Sequence, residues 1–240
     1  MENFGKQIGV TMTGNRSSVA VVILFLTVIA GLGVGVYFGI SGLKETARQK
    51  DTCFPGLSEQ TSINNQATTQ YFPPSVFSKN KWQDQYASDW YSKHLKAMQE
   101  PSLYDPSNSE KESYRFLWLR SFDHPVAIRL FRSSGTPTLT VKELDGTGGH
   151  EPGHIILDKT RSIPESEWKS FRDVVEHQCY WRLANDNDKS AGNDGAQWIL
   201  EAAREGRYHV VDRWSPSSGD YRELGLYLLK LAGLEGEKIY

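Results

Sequence analysis

The chain has 240 residues, a formal charge of −2 and a pI near 6.3. No basic cluster is available to neutralise phosphates, which argues against a nucleic-acid partner. The length allows one domain with a sizeable core besides any anchor or linker.

Residues 1–18 read as a short N-terminal tail. The run from Val19 to Ile40, VAVVILFLTVIAGLGVGVYFGI, holds no charged residue or histidine. At about 1.5 Å per residue it is long enough to cross a bilayer as a helix. It exceeds the usual signal-peptide core, and Tyr37-Phe38-Gly39-Ile40-Ser41-Gly42 is a poor cleavage site, so residues 19–40 are expected to be an uncleaved transmembrane anchor. Cys53 follows no lipobox. Lys6 and Arg16 precede the span and Lys44, Arg48 and Lys50 follow it, so the flanking charge does not orient it. Because long domains translocate largely regardless of flanking charge, the simplest topology puts the large domain on the extracytoplasmic, periplasmic side. A C-inside topology is the alternative. Gly31, Gly35 and Gly39 line one helix face and would permit helix dimerisation.

Residues 41–75 are rich in Gln, Thr, Asn and Ser and read as a flexible stem. Residues 76–240 read as a globular α+β domain, and all seven tryptophans fall in it. They supply either core bulk or an aromatic surface for sugar or peptide. Trp82, Tyr86, Trp90 (with Tyr91) and Leu95 recur at four or five residues, which predicts an amphipathic helix from about Ser78 to Met98 with that stripe as its apolar face. From Ser113 the period becomes two. Tyr114, Phe116 and Trp118 alternate with Arg115, Leu117 and Leu119, a strand with apolar residues on both faces. Turns at Asp123-His124-Pro125 and Ser133-Ser134-Gly135-Thr136 make a three-strand meander. The loop Gly146-Thr147-Gly148-Gly149 leads to a fourth strand near His154 to Asp158.

Pro164 and Glu165 open a second helix, with Trp168, Phe171, Val174 and Val175 as its stripe. A polar loop from Asn185 to Gly195 precedes a hairpin, Gln197 to Ala203 and Tyr208 to Trp214, turning at Glu205-Gly206. A last helix spans about Tyr221 to Leu231 and ends at Gly233. The expected architecture is one transmembrane helix, then an antiparallel sheet of meander plus hairpin, packed with about three helices on one side. In an oxidising compartment Cys53 and Cys179 could pair, although Cys179, inside Gln178-Cys179-Tyr180-Trp181, reads rather as a buried free thiol.

His150-Glu151-Pro152-Gly153-His154 matches the H-E-x-x-H zinc-protease pattern. That chemistry needs a helix to bring both histidines to one face, and Pro152 with Gly153 opposes one by about 4 kcal/mol. The match reads as chance, with a non-helical metal site around His150 and His154 as an alternative. Asp186-Asn187-Asp188-Lys189-Ser190 begins like a calcium loop, but Ala191 and Gln197 stand where the glycine and the bidentate acid are required. No cofactor or metal is expected. With a two-residue turn, Arg204 faces Arg207, and Trp198 faces Arg213 as a cation–π pair. Glu201 and Asp212 then share a sheet face as diagonal neighbours with Tyr208 nearby, a spacing open to acid–base glycoside hydrolysis.

From Tyr114 onward the chain resembles a group of bacterial membrane-anchored or exported proteins that have no known activity. The matching strings include Tyr114-Arg115-Phe116, Trp118-Leu119-Arg120, Lys142-Glu143-Leu144-Asp145-Gly146, Asp194-Gly195-Ala196-Gln197-Trp198-Ile199-Leu200-Glu201 and Tyr208-His209-Val210-Val211-Asp212-Arg213-Trp214-Ser215-Pro216. The resemblance implies a bacterial single-pass protein and supports the hairpin. The leading expectation is a non-enzymatic envelope protein with a protein or cell-wall partner. The alternative is a cell-wall or glycan hydrolase using Glu201 and Asp212.

Overall fold

The structure, a computed structural model, describes residues 53, 61–62, 70–108, 111–185, 192 and 194–240. The expected anchor, its glycines Gly31, Gly35 and Gly39, and the acidic loop from Asp186 to Ser190 lie outside the described residues. Among the described residues no helix is long and apolar enough to cross a membrane.

The body is one compact unit beginning at Lys50. Its strands are β1 (Thr61–Ser62), β2 (Glu112–Arg120), β3 (Val126–Arg132), β4 (Thr138–Leu144), β5 (Ile155–Ser162), β6 (Ala196–Arg204) and β7 (Arg207–Trp214). Its helices are α1 (Lys81–Ala97), α2 (Glu165–His177) and α3 (Asp220–Ala232). All strands pair antiparallel in the order β1-β7-β6-β2-β3-β4-β5. The meander therefore runs outward from β2, and the hairpin docks on the other edge of β2.

The hairpin has the register that its turn dictates: Arg204 faces Arg207, Trp198 faces Arg213 and Ile199 faces Asp212. Glu205 (φ 52°) and Gly206 (φ 73°) both take left-handed conformations, as a two-residue turn matched to strand twist requires. The expected cation–π pair is rearranged. Arg213 lies over Tyr221, and Trp198 receives Arg222 from α3 instead.

The helices are not on one side. Tyr114, Phe116, Trp118, Ile128, Trp198 and Leu200 pack beneath α2 and α3, with Trp168, Phe171, Leu224 and Leu228 as their counterparts. Leu117, Leu119, Ala127, Ile199 and Val210 face the other way, beneath α1 and the segment around Phe72 and Phe77, where Tyr91, Leu95 and Met98 cover them. The order is helix, sheet, helices. The apolar residues on both faces of β2 already demand it, since a sheet face of leucines must be covered.

α1 begins at Lys81 rather than Ser78 because Asn80 caps it, accepting from the amides of Trp82 and Gln83. Asp84 gathers the preceding turn, accepting from the amides of Ser75, Phe77 and Ser78. Of the expected stripe, Tyr91 and Leu95 are buried, joined by Met98, and Trp90 is partly buried against the core, whereas Trp82 and Tyr86 are not. Trp82 is 73 % exposed and Tyr86 58 %.

Cys179 is not a free thiol: it forms a disulfide with Cys53, Cα atoms 4.7 Å apart. Residues within the stretch expected as stem thus belong to the body, namely the buried Cys53, β1 paired to β7, and the buried Phe72. Closing 126 residues, the crosslink restricts the unfolded chain strongly, and such bonds typically contribute about 2–4 kcal/mol. Cys53→Ser and Cys179→Ser are each expected to lower unfolding stability by that amount, measured by urea titration. Reductant should shift the wild type to the same midpoint and leave both variants unmoved.

Candidate functional site

The second sheet face carries a buried ionic cluster. Arg115 of β2 is wholly buried, and its guanidinium meets Glu201 of β6 at 2.5 and 2.7 Å. It also donates to the Pro101 carbonyl at 2.6 Å and lies 3.5 Å from Glu100. Glu100 receives Arg129 at 2.7 Å and Lys142 at 3.5 Å. Lys142 further donates to the carbonyls of Met98 and Gln99, placing a cation at the C-terminal end of α1, where the helix dipole favours it. Burial alone would raise the Glu100 pKa, but Arg115, Arg129 and Lys142 overcome it and hold the carboxyl below its ordinary value.

Glu201 and Tyr208, two of the candidate residues, do meet: the Tyr208 hydroxyl donates to Glu201 at 2.8 Å. Burial pushes the Glu201 carboxyl up, and Arg115 and Tyr208 pull it back. Asp212 has separate partners. It accepts from the Tyr91 hydroxyl of α1 at 2.7 Å and from the Gln197 side-chain amide, and its backbone N–H donates to Asn185. It is 2 % exposed, and burial raises its pKa to about 6. The two carboxylates therefore share a sheet face but serve different networks.

His150, Glu151 and His154 are exposed in the loop between β4 and β5. That loop is closed by backbone bonds from Gly146 to Pro152 and from Thr147 to Glu151. Gly148 packs so closely on β2 that a Cβ would sit 2.5 Å from the Arg120 amide. Among the described residues no group of three His, Cys, Asp or Glu side chains is placed to hold a metal.

A cleft of about 280 Å³ opens at the end of the sheet where this loop approaches α1. Tyr86 and Trp90 of α1 form one side, Gly148, Gly149 and Trp214 others, and Tyr91 and Gln197 supply polar atoms. The rings of α1 form a ladder running out from it. Trp82 and Tyr86 stack at 5.6 Å with planes 17° apart, and Tyr86 and Trp90 at 6.3 Å with planes 12° apart. Lys93 sits 4.3 Å over Trp90 and pairs with Glu151, linking α1 to the loop. Spacing of four, which brings side chains to one helix face, made the ladder legible but not its exposure. Tyr91 and Leu95 of the expected stripe, continued by Met98 at a spacing of three, enter the core. Tyr91 is not legible as a partner of Asp212, because that contact spans 121 residues of sequence, whereas Gln197 is its diagonal neighbour in the hairpin register.

Two outcomes follow from these networks. Glu201→Ala strands the Arg115 charge in the core and should cost about 3–5 kcal/mol of stability by chemical denaturation, with Glu201→Gln less damaging because it keeps an acceptor. For Asp212 the folded pKa lies above the unfolded value near 3.8, so the native state binds the extra proton. Its ionisation therefore costs nothing below about pH 4 and weakens the fold progressively up to about pH 6, by roughly 3 kcal/mol for a shift of this size. Asp212→Asn should flatten that part of the stability–pH curve without lowering stability at pH 7.

No protein-family model matches the chain, and no curated protein matches it.

Proposed function

We propose that this is a bacterial, single-pass envelope protein whose α+β domain works as a non-enzymatic binding module outside the cytoplasm, taking a cell-wall or protein partner. The observation that carries the reading is the stacked Trp82–Tyr86–Trp90 ladder, whose outer rings Trp82 and Tyr86 are exposed beside a concave site while Trp90 is partly buried against the core. Two large exposed aromatics on one helix face are costly to solubility and form the kind of rigid, amphipathic surface that binding sites use. The Cys53–Cys179 disulfide supports an oxidising, extracytoplasmic location for the domain. The uncharged run 19–40 supports the anchor, and Gly31, Gly35 and Gly39 would let two anchors approach closely.

Burial supports binding over hydrolysis. A general acid and a base must reach a substrate, yet Glu201 engages Arg115 and Tyr208 within the core, and Asp212 lies behind Tyr91 and Gln197.

The test is retention of the purified full chain, kept in detergent micelles, on detergent-extracted cell envelopes, where residues 19–40 have no bilayer to enter. Trp82→Ala with Tyr86→Ala should weaken retention about tenfold or more, while stability changes by no more than about 0.5 kcal/mol because both side chains are exposed. Unchanged retention in the double variant, or turnover of any substrate in a broad hydrolase screen, would overturn the reading.

A further inference from the structure

We infer that the outward ridge of α1 is a docking helix for a protein partner offering an apolar groove with an acidic rim, into which Trp82 and Tyr86 insert. This rests on the binding-module reading above and decides between its two kinds of partner.

The ridge has the shape of something that enters a groove. α1 has 17 residues, so its outward side is convex and about 25 Å long. Trp82 and Tyr86, both exposed, stand at i and i+4 on one side of it, the spacing by which a helix engages a groove. The rings are ordered before any partner arrives. Trp82 stacks on Tyr86, and Tyr86 on Trp90, which is partly buried against the core. That stacking engages both faces of the Tyr86 ring, so it offers no flat platform to a sugar.

The charges around the rings set the sign of the partner. Lys79 and Lys81 flank Trp82, and Lys96 lies in the last turn on the outward side, all three exposed. None of the three has an ion-pair partner among the described residues, whereas Lys93 is held by Glu151. Asp89 is the exposed acid of α1, and the Gln85 amide donates to it. Lysines without carboxylates, set around two apolar rings, are complementary to an acidic rim.

Two other occupants fit less well. A second copy would bring the same patch against itself, and with two α1 helices antiparallel across a two-fold axis, Lys79 and Lys81 would face Lys96. A bilayer surface calls for a broad apolar face. Beyond the two rings, the outward positions of α1 are Gln85, Asp89, Lys93 and Lys96, with no aliphatic residue among them.

The purified full chain, in detergent micelles, is tested for retention on detergent-extracted envelopes, on the same envelopes digested with protease, and on protein-free sacculi. Retention should disappear on the last two. On undigested envelopes it should fall about tenfold or more in the triple variant Lys79→Glu, Lys81→Glu, Lys96→Glu. The exposed lysines Lys159, Lys169 and Lys230 lie on other elements, and changing all three to Glu alters the net charge equally but should leave retention intact. Thermal melts check the fold, and the milder Lys→Gln triple at 79, 81 and 96 should lose about threefold. Ring-dependent retention that survives protease overturns the protein assignment and leaves the binding-module reading standing. So does retention that needs the rings but is indifferent to the three lysines. Dimerisation of the full chain that is lost in the Trp82→Ala, Tyr86→Ala variant, read by light scattering, gives the ridge to a second copy and likewise overturns the inference. If retention is independent of Trp82 and Tyr86, both readings fall.

Discussion

Arg115 is the constraint on which the second face of the sheet depends. A guanidinium buried beneath a helix is tolerable only when its charge is compensated, and here Nε donates to Glu201 and Nη1 to the Pro101 carbonyl, while Nη2 lies in ion-pair range of Glu201 and Nη1 of Glu100. Because Glu100 and Pro101 follow α1 directly, this interaction also fixes where the helix ends. Lys142 closes the same corner from β4, on the carbonyls of Met98 and Gln99. With its C-terminal end held, α1 lies across the sheet on Tyr91, Leu95 and Met98, and Trp82 and Tyr86 of its other stripe are exposed. Ionic anchoring at one end thus sets the position of the cleft wall at the other. Removing the cluster would not merely loosen the core; it would release the wall of the cleft.

Much of this layout is legible in the sequence, and the failures have physical causes. The hairpin register is readable because a two-residue turn at Glu205-Gly206 leaves only one pairing, and the structure has it. The second and third helices follow from Pro164 and from Gly233, whose φ of 74° ends α3 in the left-handed cap that glycine favours. The sidedness of the helices was also there to be read. Leu117 and Leu119 alternate with Phe116 and Trp118, and a strand apolar on both faces requires cover on both. The expectation of helices on one side set that signal aside.

The site was harder to read, because its contacts are distant in sequence. Glu201 and Asp212 fall on one face, as the register dictates, but period-two arithmetic says nothing about what lies above them. Tyr91 arrives over Asp212 from α1, and Arg115 arrives beside Glu201 from β2. Trp82 and Tyr86 illustrate the same gap. A stripe of rings at every fourth residue is what a core helix shows, and only the packing of Tyr91, Leu95 and Met98 decides which part of it enters the interior. Cys179 shows it most simply. Its aromatic neighbours suggest a buried thiol, while its partner lies 126 residues earlier, in a stretch whose composition reads as linker.

Asp212 unites these strands. Burial pushes the Asp212 carboxyl up to about 6, which disfavours its charged form at neutral pH, but a leucine in its place would leave the Tyr91 hydroxyl and the Gln197 amide without the acceptor that they share. What Asp212 does accomplish is a tie: it accepts from the Tyr91 hydroxyl of α1 and from the Gln197 amide of β6, which joins the helix to the hairpin. The same carboxylate that looks, on the strand diagram, like half of a catalytic pair is better understood as the point where α1 is fastened to the sheet.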